Sequence, residues 1–153
     1  MVEQGHQDGK KMRVYLDTSV VSALFDERNP ERKSLTEAFF KETKNFEILV
    51  SEITVAEIER IPQVEIRRRM KEAVAGFSVL PLTDEVEGIA REYIGHGAVP
   101  AGYREDAYHI AVAVLNEMSC LLNWNFRHIV RRKTRETVRM VNSLKNLSQI
   151  EIL

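Results

Sequence analysis

The chain has 153 residues, 44% of them hydrophobic, enough to bury one sizeable core and too few for two ordinary domains. Its 22 Lys and Arg nearly balance 23 Asp and Glu at a formal net charge of −1, which excludes a globally basic surface, so any attraction for nucleic acid must be local. A single cysteine, Cys120, excludes an internal disulfide, and no stretch approaches the roughly 18 apolar residues of a spanning helix; a cytoplasmic protein with no membrane role is expected.

Residues 1–11 are polar, carry Gly5 and Gly9 and follow neither hydrophobic period, so they are expected to be a disordered leader, with Met12 an alternative start and residues 12–153 one domain. Short β-like runs are expected at Val14 to Leu16, Phe46 to Val50, Phe77 to Leu80 and Ser119 to Leu122, with a weaker one at Ile150 to Leu153. Helical patterns lie between them. Asn29-Pro30 opens one that runs to about Thr43, and Pro62 opens another containing Val64, Ile66 and Met70. Asp84 is expected as an N-cap answered by Glu87, in a helix that ends at Gly95. Asp106 to Leu115 is nearly all apolar and should be buried on most sides, whereas Pro100-Ala101-Gly102 reads as a loop. Short apolar strands alternating with helices, without clean period-2 alternation, indicate an α/β fold whose mainly parallel sheet is covered on both faces.

Three acids stand where a strand ends or a helix begins: Asp17 in Tyr15-Leu16-Asp17-Thr18-Ser19, Glu57 in Ser51-Glu52-Ile53-Thr54-Val55-Ala56-Glu57, and Asp106 in Asp106-Ala107-Tyr108-His109-Ile110-Ala111. Hard oxygen ligands from separate segments suit Mg²⁺ or Mn²⁺, so metal-dependent phosphodiester chemistry is the first expectation. Ligands of such sheets bind outside the carboxyl ends of the strands, where Asp17, Asn123 and Asn125 would stand together. Each acid also has a purely structural role open to it. Asp17 could cap a helix over Val20 to Phe25, Glu57 could close a capping box with Thr54, and Asp106 could complement a helix dipole. His109 and His128 occupy no catalytic-triad or zinc spacing and read as structural or substrate-contact residues. Trp124, Phe126 and Tyr103 could stack on bases or belong to the core.

Together with Leu121-Leu122-Asn123-Trp124-Asn125-Phe126-Arg127-His128, these segments resemble, in order and spacing, the PIN-domain ribonucleases, which include the VapC-type toxins of toxin–antitoxin pairs. The resemblance extends from Met12 onward. It implies a three-layer α/β/α sandwich, Asp17, Glu57 and Asp106 as catalytic, metal-binding acids, and Thr18 or Ser19 as a supporting hydroxyl. It further implies Mg²⁺- or Mn²⁺-assisted hydrolysis of RNA, a small antitoxin partner and a homodimer. Asn125 stands where many relatives have aspartate; losing that charge would weaken a second metal more than the first, leaving one ion held by Asp17 and Asp106 with Glu57 direct or through water.

Seven basic residues, Arg127, Arg131, Arg132, Lys133, Arg135, Arg139 and Lys145, face one acid, Glu136, between positions 127 and 145, a local stripe beside the expected site that suits RNA phosphates. A second group, Arg60, Arg67, Arg68, Arg69 and Lys71, follows Glu57 and could equally be a solvated helix face. Two other functions remain open. A PIN fold decayed at Asn125 could bind RNA or protein without cleaving, and an α/β phosphatase could use Asp17 as nucleophile, although Ser19 stands where that chemistry wants a second acid.

Overall fold

Five strands alternate with seven α-helices along the described residues, 11–153, of this computed structural model. The expected leader lies outside them except for Lys11, whose Nζ donates to the Lys44 carbonyl at 2.7 Å. The strands are β1 (Met12–Leu16), β2 (Phe46–Ser51), β3 (Ser78–Leu80), β4 (Cys120–Leu122) and β5 (Glu151–Ile152). The helices are α1 (Thr18–Ala23), α2 (Pro30–Phe40), α3 (Glu52–Glu59), α4 (Val64–Val74), α5 (Asp84–Gly95), α6 (Arg104–Leu115) and α7 (Arg132–Leu144).

The strands pair in parallel in the order β3-β2-β1-β4-β5, with Val14 opposite Ile48 on one side and Cys120 on the other. Alternation along each strand divides its side chains between two cores. Val14, Leu16, Ile48, Val50 and Cys120 pack with Val20, Val21, Ile58, Met70 and Val74, under α1, α3 and α4. Tyr15, Leu49, Leu121 and Ile152 pack with Ala90, Tyr93, Ile110, Val138 and Val141, under α5, α6 and α7. This is the expected α/β/α sandwich: a sheet apolar on both faces must be covered twice. After β1 the chain builds β2 and β3 on one side, then returns past β1 to add β4 and β5 on the other. The order therefore reverses between β1 and β4, the switch point outside whose carboxyl ends such sheets have their ligand crevice.

The expected elements are present, with ends moved by local chemistry. α2 stops at Phe40 and a 3₁₀ turn, Thr43–Asn45, follows it. The second helix opens at Val64 rather than at Pro62, with Gln63 in the capping position. Thr83, not Asp84, caps α5, its hydroxyl accepting from Val86 N at 3.2 Å, and Asp84 instead favours the positive end of the helix dipole. The break at residues 100–102 is partly ordered as a 3₁₀ turn, Ala101–Tyr103, that leads directly into α6 at Arg104. α7 arises where the sequence offered mainly charge: Thr134, Val138, Val141 and Asn142 recur at helical spacing on its buried face.

Candidate functional site

Asp17 emerges at the end of β1, pinned by its backbone N–H donating to the Leu122 carbonyl of β4 at 3.0 Å. Its Oδ2 accepts from Ser19 N at 3.0 Å, so it does cap α1. Yet it is only 4% exposed, and Oδ1 faces His109 Nε2 at 3.6 Å. The capping role and a role in the crevice coexist because the carboxylate has two oxygens.

Glu57 is not the capping acid of its helix. Ser51 caps α3 by accepting from Ile53 N at 3.2 Å, and Thr54 Oγ1 accepts reciprocally from Ser51 N at 3.3 Å. Glu57, almost two turns in, instead reaches the crevice, where Oε1 accepts from the Thr18 hydroxyl and from His109 Nε2, the latter at 2.8 Å. His109 is buried, 1% exposed, and Tyr15 OH lies 2.6 Å both from its Nδ1 and from Ser51 Oγ. With His109 charged, one direction satisfies the chain: Nδ1–H donates to Tyr15, Tyr15 donates to Ser51, and Nε2–H donates to Glu57. Burial disfavours that charge, but Tyr15, Asp17 and Glu57 outweigh it and hold the imidazole pKa well above its ordinary value. Glu57 feels the converse: burial raises its pKa, and the His109 and Thr18 contacts bring it below the usual range.

Asp106 lies in the first turn of α6, with Oδ2 3.0 Å from His128 Nδ1. Burial first and the facing charge of Asp17 second raise its pKa, against partial relief from His128, His109 and Asn125. The three acids thus converge from β1, α3 and α6. Among the described residues their only basic side-chain partners are the imidazoles of His109 and His128, with no lysine or arginine bound to any of them.

The segment after β4 is a scaffold as much as a donor set. Asn123 Oδ1 accepts from Asn125 N at 2.8 Å, and its amide donates to the Leu153 carbonyl at 3.1 Å, so its side chain is spent on the loop and β5. Asn125 Oδ1 accepts from His128 N at 2.9 Å, which fixes the amide orientation, and Asn125 is among the groups that favour the charged form of Asp106. Ser19 Oγ accepts from Trp124 N at 2.9 Å, tying this loop to α1, while Thr18 is the hydroxyl that contacts an acid.

The two basic groups differ. Arg60 pairs with Glu105, Arg68 with Glu65 and Glu72, Arg69 with Glu65, and Lys71 with Glu59, while Arg67 donates to the Ile61 carbonyl. That group is largely neutralised on its own surface. In the other, Arg132 pairs with Glu136 and Lys145 with Glu92, but Arg127, Arg131, Lys133, Arg135 and Arg139 have no acid partner among the described residues. Along α7, Arg132, Arg135 and Arg139 stand three and four positions apart and share a face, while Lys133 is turned about 100° from Arg132; Arg135 and Arg139 line a groove beside β5. Arg127 and Arg131 flank His128.

A hard divalent ion suits this donor set, because Asp17 is buried, Asp106 is largely so, and their like charges raise the cost of ionising both. Among the described residues no three acids or histidines stand as a ready-made metal cage; His109 and His128 hold Glu57 and Asp106 instead. Sequence reasoning missed those two histidines as members of the cluster. One signal was legible: His109 follows Asp106 by three positions, hence on the same helix face.

The chain belongs to the PIN domain family, whose profile matches residues 14–152. Several solved structures share the fold, three of which follow. VapBC2 from Rickettsia felis, crystallised with a promoter DNA fragment, matches at TM-score 0.57 and 13% identity over 93% of this chain and 99% of that one. The Mycobacterium tuberculosis VapC20 structure, described as a sarcin–ricin loop cleaving toxin, gives 0.56 and 18% over 75% and 92%. DNA-bound VapBC from Salmonella typhimurium gives 0.55 and 18% over 92% and 98%. No curated protein sequence matches the chain.

Proposed function

We propose that this protein is a divalent-metal-dependent endoribonuclease, a toxin of the VapC kind, with RNA as substrate, a small antitoxin protein as partner and a homodimer as its assembly. The observation that carries the reading is the convergence of Asp17, Glu57 and Asp106 at the β1/β4 switch point with no lysine or arginine among the described residues to neutralise them. Asp17 and Asp106 would hold Mg²⁺ or Mn²⁺, with Glu57 joining directly or through water once released from His109. When bound, the ion supplies charge neutralisation and Lewis acidity at the scissile phosphate. Thr18 and His109 orient Glu57, Asn125 favours the charged form of Asp106, and Arg127 and Arg131 offer charge for neighbouring phosphates. The family membership and the printed activity of the tuberculosis neighbour support this reading.

Purified protein should cleave single-stranded RNA in Mg²⁺ or Mn²⁺ and not in EDTA. Asp17→Asn and Asp106→Asn should each abolish cleavage while keeping the fold. Asp106→Asn should also raise the melting temperature of the metal-free protein, since burial and Asp17 both oppose that charge. RNA binding without metal-dependent cleavage would favour the decayed reading that Asn125 raises.

A further inference from the structure

Of six Phe, four Tyr and one Trp in the chain, only Tyr103 and Phe126 are exposed, at 50% and 54%, and both border the acid cluster. Neither ring hangs free. Tyr103 lies over His128, ring centroids 4.1 Å apart, and His128 bonds Asp106. Phe126 is braced by Trp124 at 6.0 Å and by the Arg32 guanidinium at 5.5 Å, which also covers Trp124 at 4.9 Å. Trp124 is in turn fastened by its indole N–H donating to Thr36 Oγ1 at 3.0 Å and by its backbone N–H donating to Ser19 Oγ. The two rings therefore reach the acids by separate routes, one through His128 and Asp106 on the α6 side, the other through Trp124 and Ser19 on the α1 and α2 side.

We propose that Tyr103 and Phe126 are base-stacking platforms that hold unpaired nucleotides on either side of the scissile phosphate. This rests on the ribonuclease reading above. An exposed ring forgoes the benefit of burial, so two confined to one site, each supported from beneath, present faces prepared for a flat apolar partner. A nucleobase is such a partner, and the Arg32 guanidinium over Phe126, with Arg127 next to Phe126 in the chain, matches the phosphates that accompany it. Stacking on both sides requires bases free of pairing, so the platforms select single-stranded segments and tolerate many sequences, purines stacking best.

The test uses the full chain in EDTA at low salt, with oligoadenylate, oligouridylate and an RNA duplex as probes and the quenching of the single tryptophan as a second readout. Oligoadenylate should bind tighter than oligouridylate, and both tighter than the duplex. Tyr103→Ala and Phe126→Ala should each weaken oligoadenylate binding roughly tenfold with the salt slope unchanged, while Tyr103→Phe and Phe126→Tyr retain it. Phe126→Leu separates stacking from mere apolar contact: parental affinity in that variant overturns the proposal, as does parental affinity in both alanine variants, or failure of the parent to bind any single strand. If the alanine variants bind like a parent that cleaves RNA in Mg²⁺, stacking fails and the nuclease reading stands. If stacking is seen in a parent that does not cleave, the reverse holds.

Discussion

At the level of single residues, the acid cluster is governed by who holds each carboxylate. Asn125 uses its oxygen on His128 N and favours the charge of Asp106, so Asn125→Asp would keep the first bond and bring a further negative group to the neighbourhood of Asp106. Calorimetry should then show higher Mg²⁺ or Mn²⁺ affinity, and melting should show a less stable metal-free protein; identical values for both would place position 125 outside the metal's reach. His109 is the counterpart. His109→Leu leaves the Tyr15 hydroxyl and the Glu57 carboxylate without their buried partner, at a cost of about 3 kcal/mol, which should lower the metal-free melting temperature by roughly 6–12 °C. A divalent ion should recover part of that stability. Unchanged melting would mean that the imidazole does not hold Glu57.

At the level of elements, α4 and the segment leading into α7 are equally rich in basic residues and differ in their partners. Glu65 and Glu72 lie three or four positions from Arg68 and Arg69, so α4 answers its own charge, whereas Glu136 reaches only Arg132. Changing Arg127, Arg131 and Lys133 together to alanine should reduce the salt slope of single-stranded RNA binding by about 2, roughly 0.7 for each phosphate left without its cation. The same treatment of Arg68, Arg69 and Lys71 should leave it unaltered. Equal effects from the two triples would show that local ion pairing does not decide which surface meets RNA.

Across the whole molecule, the short edge strand β5 supports the site from a distance. Leu153 N donates to Leu121 O at 2.9 Å, and its carbonyl accepts from both the backbone and the side chain of Asn123, which in turn fixes Asn125. Removing residues 151–153 discards these bonds and the burial of Ile152, at a cost of about 3 kcal/mol that should lower the melting temperature by roughly 6–12 °C. RNA cleavage should fall with it even at temperatures where the fold persists. Full activity in the truncated chain would show that the loop after β4 keeps its shape unaided.

The features legible in the linear chain are local in origin. Apolar runs too short for helices, helical spacings between them and an acid directly after the first run together specify alternating strands and helices, a sheet buried on both faces and Asp17 at a strand's carboxyl end, because each depends on periodicity or on adjacent residues. The caps of α3 and α5 differ from expectation by a few positions, since Thr54 and Asp84 each sit near another competent capping residue and only backbone geometry chooses between them. The strand order that brings β1 beside β4 belongs to tertiary structure, and with it the meeting of residues tens of positions apart: Tyr15 with His109, Glu57 with Thr18, Asp106 with His128. So does the exposure of Tyr103 and Phe126 while the other aromatics are wholly or partly buried. Exposure and charge pairing are properties of the space around a side chain, and that space is filled by elements distant in sequence.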